Sequence, residues 1–267
     1  NITILTVNFN SYDFVKLMIE SLEQLTYNKF KVLICDNGST KKEIKKINSF
    51  CKKRKNIQIF YKKQNDIPSI SHGRALDFLV KKVVSKYFVV MDADATFLIQ
   101  DWDLYLISEL NEKVKLIGTE ASGNKEKSFP QVYATLYETK TFKRLKCFFC
   151  PDIKKNVSPS NDTGYIIPIR YSSNGYKGKI LKYKNTRYWK KGPYNDLICG
   201  EYYLNNEGHI FASHFGRGST LGAAKRLSFY KYIPIINKLI FKILGEKEKR
   251  KWINISKSIL KRQEKKV

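Results

Sequence analysis

The sequence predicts an α/β fold, a Rossmann-like, mostly parallel central sheet with helices on both faces, followed by a basic helical extension at the C-terminal end. Three observations predict it. Short β-branched apolar runs alternate with segments of helical spacing through the N-terminal part of the chain. Each run stops abruptly at polar turn formers. Past residue 228 apolar residues alternate with lysines in a pattern of their own.

The elements follow in order. Residues 2–7 form a β-branched run that ends in Asn8, Asn10 and Ser11, which reads as a buried strand running into a functional loop. Leu17, Met18, Ser21, Leu22 and Leu25 recur at intervals of three and four, so residues 13–25 read as an amphipathic helix with its N-cap near Ser11 or Asp13. Residues 30–35 are the second strand, stopped by Asp36-Asn37-Gly38-Ser39-Thr40, and another helix is expected after that turn. Residues 57–61 are a third strand. Leu76, Leu79, Val80, Val83 and Val84 give residues 71–85 one apolar helical face, and residues 87–91 are a fourth strand. Strands alternating with helices imply βαβ units, and in open sheets of that kind ligands bind beyond the carboxyl ends of the strands. The residues to examine there are Asn8, Asp36 and Asp92. Beyond about residue 120 the pattern loosens into Tyr-rich and Lys-rich stretches.

The composition, 42% hydrophobic and 13% aromatic, is that of a folded protein, and 50 Lys and Arg against 24 Asp and Glu leave a net charge of +26. Such a surface attracts anions: nucleic acid, anionic lipid, acidic glycans and nucleotide sugars alike, or it is merely a solvated basic face. Five irregularly spaced cysteines do not make a disulfide framework, and the Cys147-x-x-Cys150 pair lacks two further ligands at zinc spacing. Reduced thiols, no apolar stretch of transmembrane length and no charged-then-apolar leader suggest a cytoplasmic protein, peripheral at the inner face of the membrane if the C-terminal segment binds lipid.

Chemistry concentrates in a few motifs. In extended backbone, positions i and i+2 point the same way, so Asp92 and Asp94 of Val90-Met91-Asp92-Ala93-Asp94 can face one site and hold Mn²⁺ or Mg²⁺. Capping a turn is the alternative. Asp36 ends the second strand, where a carboxylate can accept hydrogen bonds from a base or ribose and Gly38 permits a tight turn, although these residues by themselves favour a plain Asx-turn and N-cap. Ser69, Ser71 and Gly73 precede or open a helix with Arg74 in its first turn, a setting suited to a diphosphate.

Taken together, Val7-Asn8-Phe9-Asn10, Asp36-Asn37-Gly38-Ser39, Asn65 through His72-Gly73-Arg74-Ala75, and Asp92-Ala93-Asp94 resemble glycosyltransferase family 2, whose members have the GT-A fold. The likeness covers roughly the first 120 residues. It implies a nucleotide-sugar donor contacted by Asn8, Asp36, Arg74 and Asp92, a metal ligated by Asp94, and an inverting displacement. Pro68, Ser69 and Ile70 depart from the Gly-rich approach usual in the third motif, and Asp66 sets an acid beside the expected phosphate path.

An inverting transfer needs a base for the acceptor hydroxyl. The stretch matched to the family's acid is 192–208, in which Glu201 is favoured over Asp196 and an exposed helix-start carboxylate is the alternative for either. Ser213-His214-Phe215-Gly216-Arg217-Gly218-Ser219 looks like the family's His-Gly-Gly stretch, with His214 as a metal ligand or a core histidine and Arg217 as a phosphate clamp. Asp162-Thr163-Gly164 is a weaker candidate for shaping the acceptor side and is assigned no role.

The organisation read from this is a GT-A catalytic domain at 1–228, divided into a nucleotide-sugar-binding half at 1–120 and an acceptor-side half at 121–228, then the extension at 229–267. The resemblance implies a glycan or lipid-linked acceptor, as in polysaccharide biosynthesis. A nucleotidyltransferase is disfavoured because residues 8–12 hold no glycine, and a dinucleotide oxidoreductase because G-x-G-x-x-G is missing. A nucleic-acid-binding module explains +26 and 17 tyrosines but not carboxylates at three strand ends, so no specific nucleic-acid partner is expected. The C-terminal segment is either a membrane-surface helix against anionic lipid or a helix packed on the catalytic domain.

Overall fold

The computed structural model describes residues 1–63, 66–120, 128–151, 162–204, 209–216 and 234–264, with the side chains of 234–241 and 264 outside that description. In chain order the elements are β1 (Ile2–Asn8), α1 (Tyr12–Leu25), β2 (Phe30–Asp36), α2 (Lys41–Cys51), β3 (Ile57–Tyr61), α3 (Pro68–Val80), β4 (Tyr87–Val90), β5 (Ala95–Phe97), α4 (Trp102–Ser108), β6 (Val114–Thr119), β7 (Thr135–Glu138), α5 (Thr139–Arg144), α6 (Ile166–Ser173), β8 (Lys177–Asn185), β9 (Gly200–Tyr203), β10 (Ile210–His214) and α7 (Pro234–Glu264).

The strands form one sheet in the order β3-β2-β1-β4-β7-β6-β8-β9-β10-β5. Its first four strands are parallel, as the βαβ pattern predicts. Beyond β4 the pairing turns antiparallel except between β6 and β8, which is where the sequence pattern loosened.

Continuous apolar strands arise because both faces of the sheet are covered. Ile2 and Ile4 of β1, Val32 and Ile34 of β2, and Val89 of β4 join one core, with α1, α2 and α4. Leu5, Leu33, Cys35, Phe88 and Val90, one position out of phase, join a second core with α3, α5 and α6. Strand alternation thus feeds two helix layers.

Helix ends follow local chemistry. Thr40 Oγ1 accepts from the Glu43 N–H and caps α2. Pro68 opens α3 at its first turn, three residues before the expected start, because proline's missing N–H costs nothing there. The helix stops at Val80 and leaves Val84 exposed, so the expected extension to residue 85 is corrected. Gly73 has no room for a side chain, since a Cβ would meet Cys150 Cα at 2.5 Å, and α3 therefore packs directly on the backbone at 149–150.

The C-terminal helix is keyed into the sheet. Trp252 and Leu260 are buried in the first core, Trp252 Nε1 donates to Ser213 Oγ at 2.9 Å, and the Tyr194 and Ser256 hydroxyls lie 2.7 Å apart. Its outer face carries exposed Lys247, Arg250, Lys251, Lys257 and Lys261. Among the described residues no helix is long and apolar enough to cross a membrane.

Candidate active site

Adjacent parallel strands deliver the predicted residues to one sheet edge. Asn8 lies opposite Asp36 in the β1–β2 register, and the Met91 N–H donates to Leu5 O, so the chain after β4 runs beside β1. Asn8 Nδ2 donates to Asp36 Oδ2 at 2.7 Å and to Ser39 Oγ at 3.2 Å, while the Ser39 and Gly38 N–H groups donate to Asp36 Oδ1 at 2.9 and 3.2 Å. Asp36 is 1% exposed and Asn8 0%. Both oxygens of Asp36 are therefore engaged in building the turn 36–39, and its backbone floor is fixed before any ligand arrives.

Asp92 and Asp94 converge by a different route from the one expected. They stand in a turn between β4 and β5, closed by the Ala95 N–H donating to Asp92 O at 3.0 Å, rather than on an extended strand. The third member comes from far along the chain. His214 ends β10, which pairs antiparallel with β5, and the Phe215 N–H donates to Asp94 O at 2.9 Å. His214 Nε2 lies 3.2 Å from Asp94 Oδ1 and 3.6 Å from Asp92 Oδ2, and the three potential ligand atoms all lie within 4.8 Å of one another. Two carboxylates and an imidazole brought this close form a group that could hold a divalent cation.

The electrostatics favour positive charge at this point. Burial pushes the Asp92 carboxyl above its ordinary value, His72 and His214 pull it back, and the Asp94 and Asp162 charges raise it again. For His214, burial disfavours the imidazolium, yet the Asp94 charge and hydrogen bond, with Asp92, outweigh it and hold the ring above its ordinary value.

The chain matches the sequence profile described as glycosyl transferase family 2 over residues 3–165. It belongs to that family. Over 142 residues, 46% of this chain and 23% of the other, it is 30% identical to an uncharacterized glycosyltransferase of Rickettsia felis. Over 153 residues, 51% of this chain and 24% of the other, it is 29% identical to an uncharacterized glycosyltransferase of Rickettsia conorii. The matches thus span about a quarter of these relatives' own length. Among solved structures it is similar to the mannosyltransferase PcManGT from Pyrobaculum calidifontis in complex with GDP-Man and Mn²⁺, with a TM-score of 0.54 and 13% identity, covering 67% of this chain and 54% of that one. The fold is GT-A, as expected for a family 2 glycosyltransferase.

Not every predicted residue joins the group. Arg74 is drawn into an ion pair with Asp66, both partly exposed. His72 takes its place: Nε2 lies 3.8 Å from Asp92 Oδ1. Two positions on a helix are about 200° apart, so a helix that presents His72 to Asp92 turns Arg74 away. His72 lies inside the family motif, two residues before the guanidinium that the sequence favours.

Glu201 is corrected more sharply. It lies opposite Ser213 in the β9–β10 register, whereas His214 lies opposite Gly200, so the pleat turns Glu201 to the other face. It is 0% exposed and accepts hydrogen bonds from the Tyr194 N–H at 2.9 Å and the Tyr203 hydroxyl at 2.8 Å. Burial raises its carboxyl and these two donors oppose the rise. This carboxylate ties the segment before β9 to the strand. Asp196 is exposed and paired with Lys251 of α7 at 2.7 Å, on the side of Trp252. Neither candidate base reaches the carboxylate–histidine group.

A further acid whose charge bears on Asp92 is Asp162. It is exposed just before α6, its charge acts on Asp92, and Thr163 Oγ1 donates to Ser69 O at 3.2 Å, linking this segment to the first turn of α3. A polar Asn-Asp-Thr-Gly ahead of a short helix was the available signal. Arg217 lies outside the described residues, as do Asn65, Gly208 and Gly218.

Proposed function

We propose that this chain transfers a sugar from a nucleoside-diphosphate donor to a hydroxyl of a glycan or lipid-linked acceptor, with inversion and with a divalent cation, Mn²⁺ or Mg²⁺, held by Asp92, Asp94 and His214. The observation that carries the reading is the convergence of these three side chains at the carboxyl edge of the parallel strands, beside the Asn8–Asp36 turn. The donor-bearing neighbours, GDP-Man in the complex of the mannosyltransferase, make a nucleotide sugar the natural probe.

Within this reading the rigid turn 36–39, held by Asp36 and Asn8, shapes the nucleotide pocket, and His72 faces the donor phosphates from α3. A cation at Asp92, Asp94 and His214 would offset charge on the departing diphosphate. Asp162 accepts the acceptor's hydroxyl proton as that oxygen forms its bond to the anomeric carbon and the bond to the diphosphate breaks. The basic outer face of α7 is the surface we assign to anionic lipid near a membrane-linked acceptor. Because α7 is also packed through Trp252, charge reversal at Lys247, Arg250, Lys257 and Lys261 tests that assignment more cleanly than deletion, and unchanged sedimentation with anionic liposomes would end it.

The deciding experiment is release of nucleoside diphosphate from a panel of sugar nucleotides with and without Mn²⁺ or Mg²⁺. Metal-dependent release that Asp94→Asn abolishes supports the proposal; no binding of any sugar nucleotide with Mn²⁺ supplied refutes it.

A further inference from the structure

Tyr133 has no part in the chemistry described so far, yet it covers the histidine of the metal group. Its ring centroid lies 4.1 Å from that of His214, with the planes inclined at 41°. All polar contacts of the His214 ring among the described residues run through Nε2, toward Asp92 and Asp94. The Tyr133 ring packs on the imidazole and so restrains its plane.

Tyr133 is itself held from several directions. Its hydroxyl shares a hydrogen bond with the Tyr202 hydroxyl, and its carbonyl oxygen accepts from Thr119 Oγ1 at 2.8 Å. Ala134, next in the chain, is left-handed with φ of 50°, a conformation that costs a residue with a side chain about 1–2 kcal/mol. Gly200, directly opposite His214 in the β9–β10 register, carries no side chain, and the Tyr202 and Tyr183 rings fill that space: a Cβ on Gly200 would meet Tyr183 Cε2 at 2.9 Å and Tyr202 Oη at 3.0 Å. A left-handed turn and a threonine hydroxyl thus hold the backbone of Tyr133, a second tyrosine holds its hydroxyl, and the ring lies against the imidazole.

We propose that Tyr133 is a positioning residue of the metal group: its ring sets the plane of the His214 imidazole so that Nε2 faces Asp92 and Asp94, and Tyr202 with the turn at Ala134 sets the ring of Tyr133. The inference rests on the reading of Asp92, Asp94 and His214 as a cation site. Outer-shell groups that orient a ligating histidine typically change metal affinity about 10- to 100-fold when removed.

The test is titration of the full chain with Mn²⁺ alone, free ion being read by electron paramagnetic resonance, so that no turnover is needed. Tyr133→Ala should weaken binding about 10-fold or more, while Tyr133→Phe, which keeps the ring, stays within about threefold of the parent protein. Tyr133→Leu, similar in bulk but not planar, covers the case in which the alanine variant fails to fold, and should bind less tightly than Tyr133→Phe. Binding equal to the parent in the alanine or leucine variant, with His214→Ala impaired, overturns the role of Tyr133 and leaves the cation site standing. No Mn²⁺ binding by the parent protein, or binding that His214→Ala and Asp94→Asn leave untouched, overturns the cation site and the proposal with it.

Discussion

Replacing Trp252 measures whether the C-terminal helix belongs to the catalytic body. The indole is fully buried, lies 5.8 Å from the Phe14 ring, 6.2 Å from Tyr194 and 6.0 Å from Phe215, and its Nε1 donates to Ser213 Oγ. These partners come from α1, the segment before β9, and the end of β10, so the ring bridges three parts of the chain. Trp252→Ala removes an aromatic payload worth about 3–5 kcal/mol once the cavity is counted. For a domain of this size each kcal/mol shifts Tm by about 2–4 °C, which predicts a fall of roughly 6–20 °C. Trp252→Phe keeps most of the ring but loses the N–H, and should cost nearer 1 kcal/mol from the hydrogen bond with a small packing loss besides. Urea unfolding followed by far-UV circular dichroism, with calorimetry for Tm, gives both numbers. If Trp252→Ala unfolds at the same urea concentration and temperature as the parent, α7 does not pack as described.

Three further outcomes are expected. Asp162→Asn should lower sugar transfer by about two to four powers of ten with Mn²⁺ affinity and nucleotide binding retained, read from product formation and from calorimetric titration; unaltered turnover would remove Asp162 as the base. Glu201→Gln should transfer sugar within a few-fold of the parent and alter the pH dependence of stability instead. The folded-state value of Glu201 is raised above its ordinary 4.5 by burial, so the stability it contributes is complete below 4.5 and is lost as pH rises through the raised value. The glutamine variant should therefore gain on the parent between acid and neutral pH, and parallel pH profiles would contradict this account. Gly73→Ala should destabilise by more than 1 kcal/mol, because the added methyl meets backbone at 149–150 rather than a movable side chain; a denaturation midpoint equal to the parent's would show that α3 can shift away.

The N-terminal sheet was legible because its strands are buried on both faces and leave unbroken apolar runs, and because each ends at residues whose side chains serve the turn that follows. The carboxylate pair was legible by residue type, though its convergence depends on a turn and not on strand alternation. What was not legible depended on pairing register. Glu201 beside Gly200 looks like a catalytic acid until β9 is set against β10, when a shift of one position along the pleat sends it to the opposite face. His72 and Arg74 are close neighbours in sequence, and only the docking of α3 on residues 149–150 selects the first. Tyr133 carries no local signal at all: its role appears once β10 brings His214 beneath it.

His214 and Asp94 are 120 residues apart, one ending the strand β10 and the other standing in the turn that joins β4 to β5. An ion shared by them would stitch the late-made part of the polypeptide to the early-made part, acting as a reversible crosslink across a very long loop. Its binding energy would then be felt as resistance to unfolding, growing by RT ln(1 + [L]/Kd) with free ion and vanishing on chelation. Loading the cation and locking β10 against β5 and the turn before it would be one event rather than two.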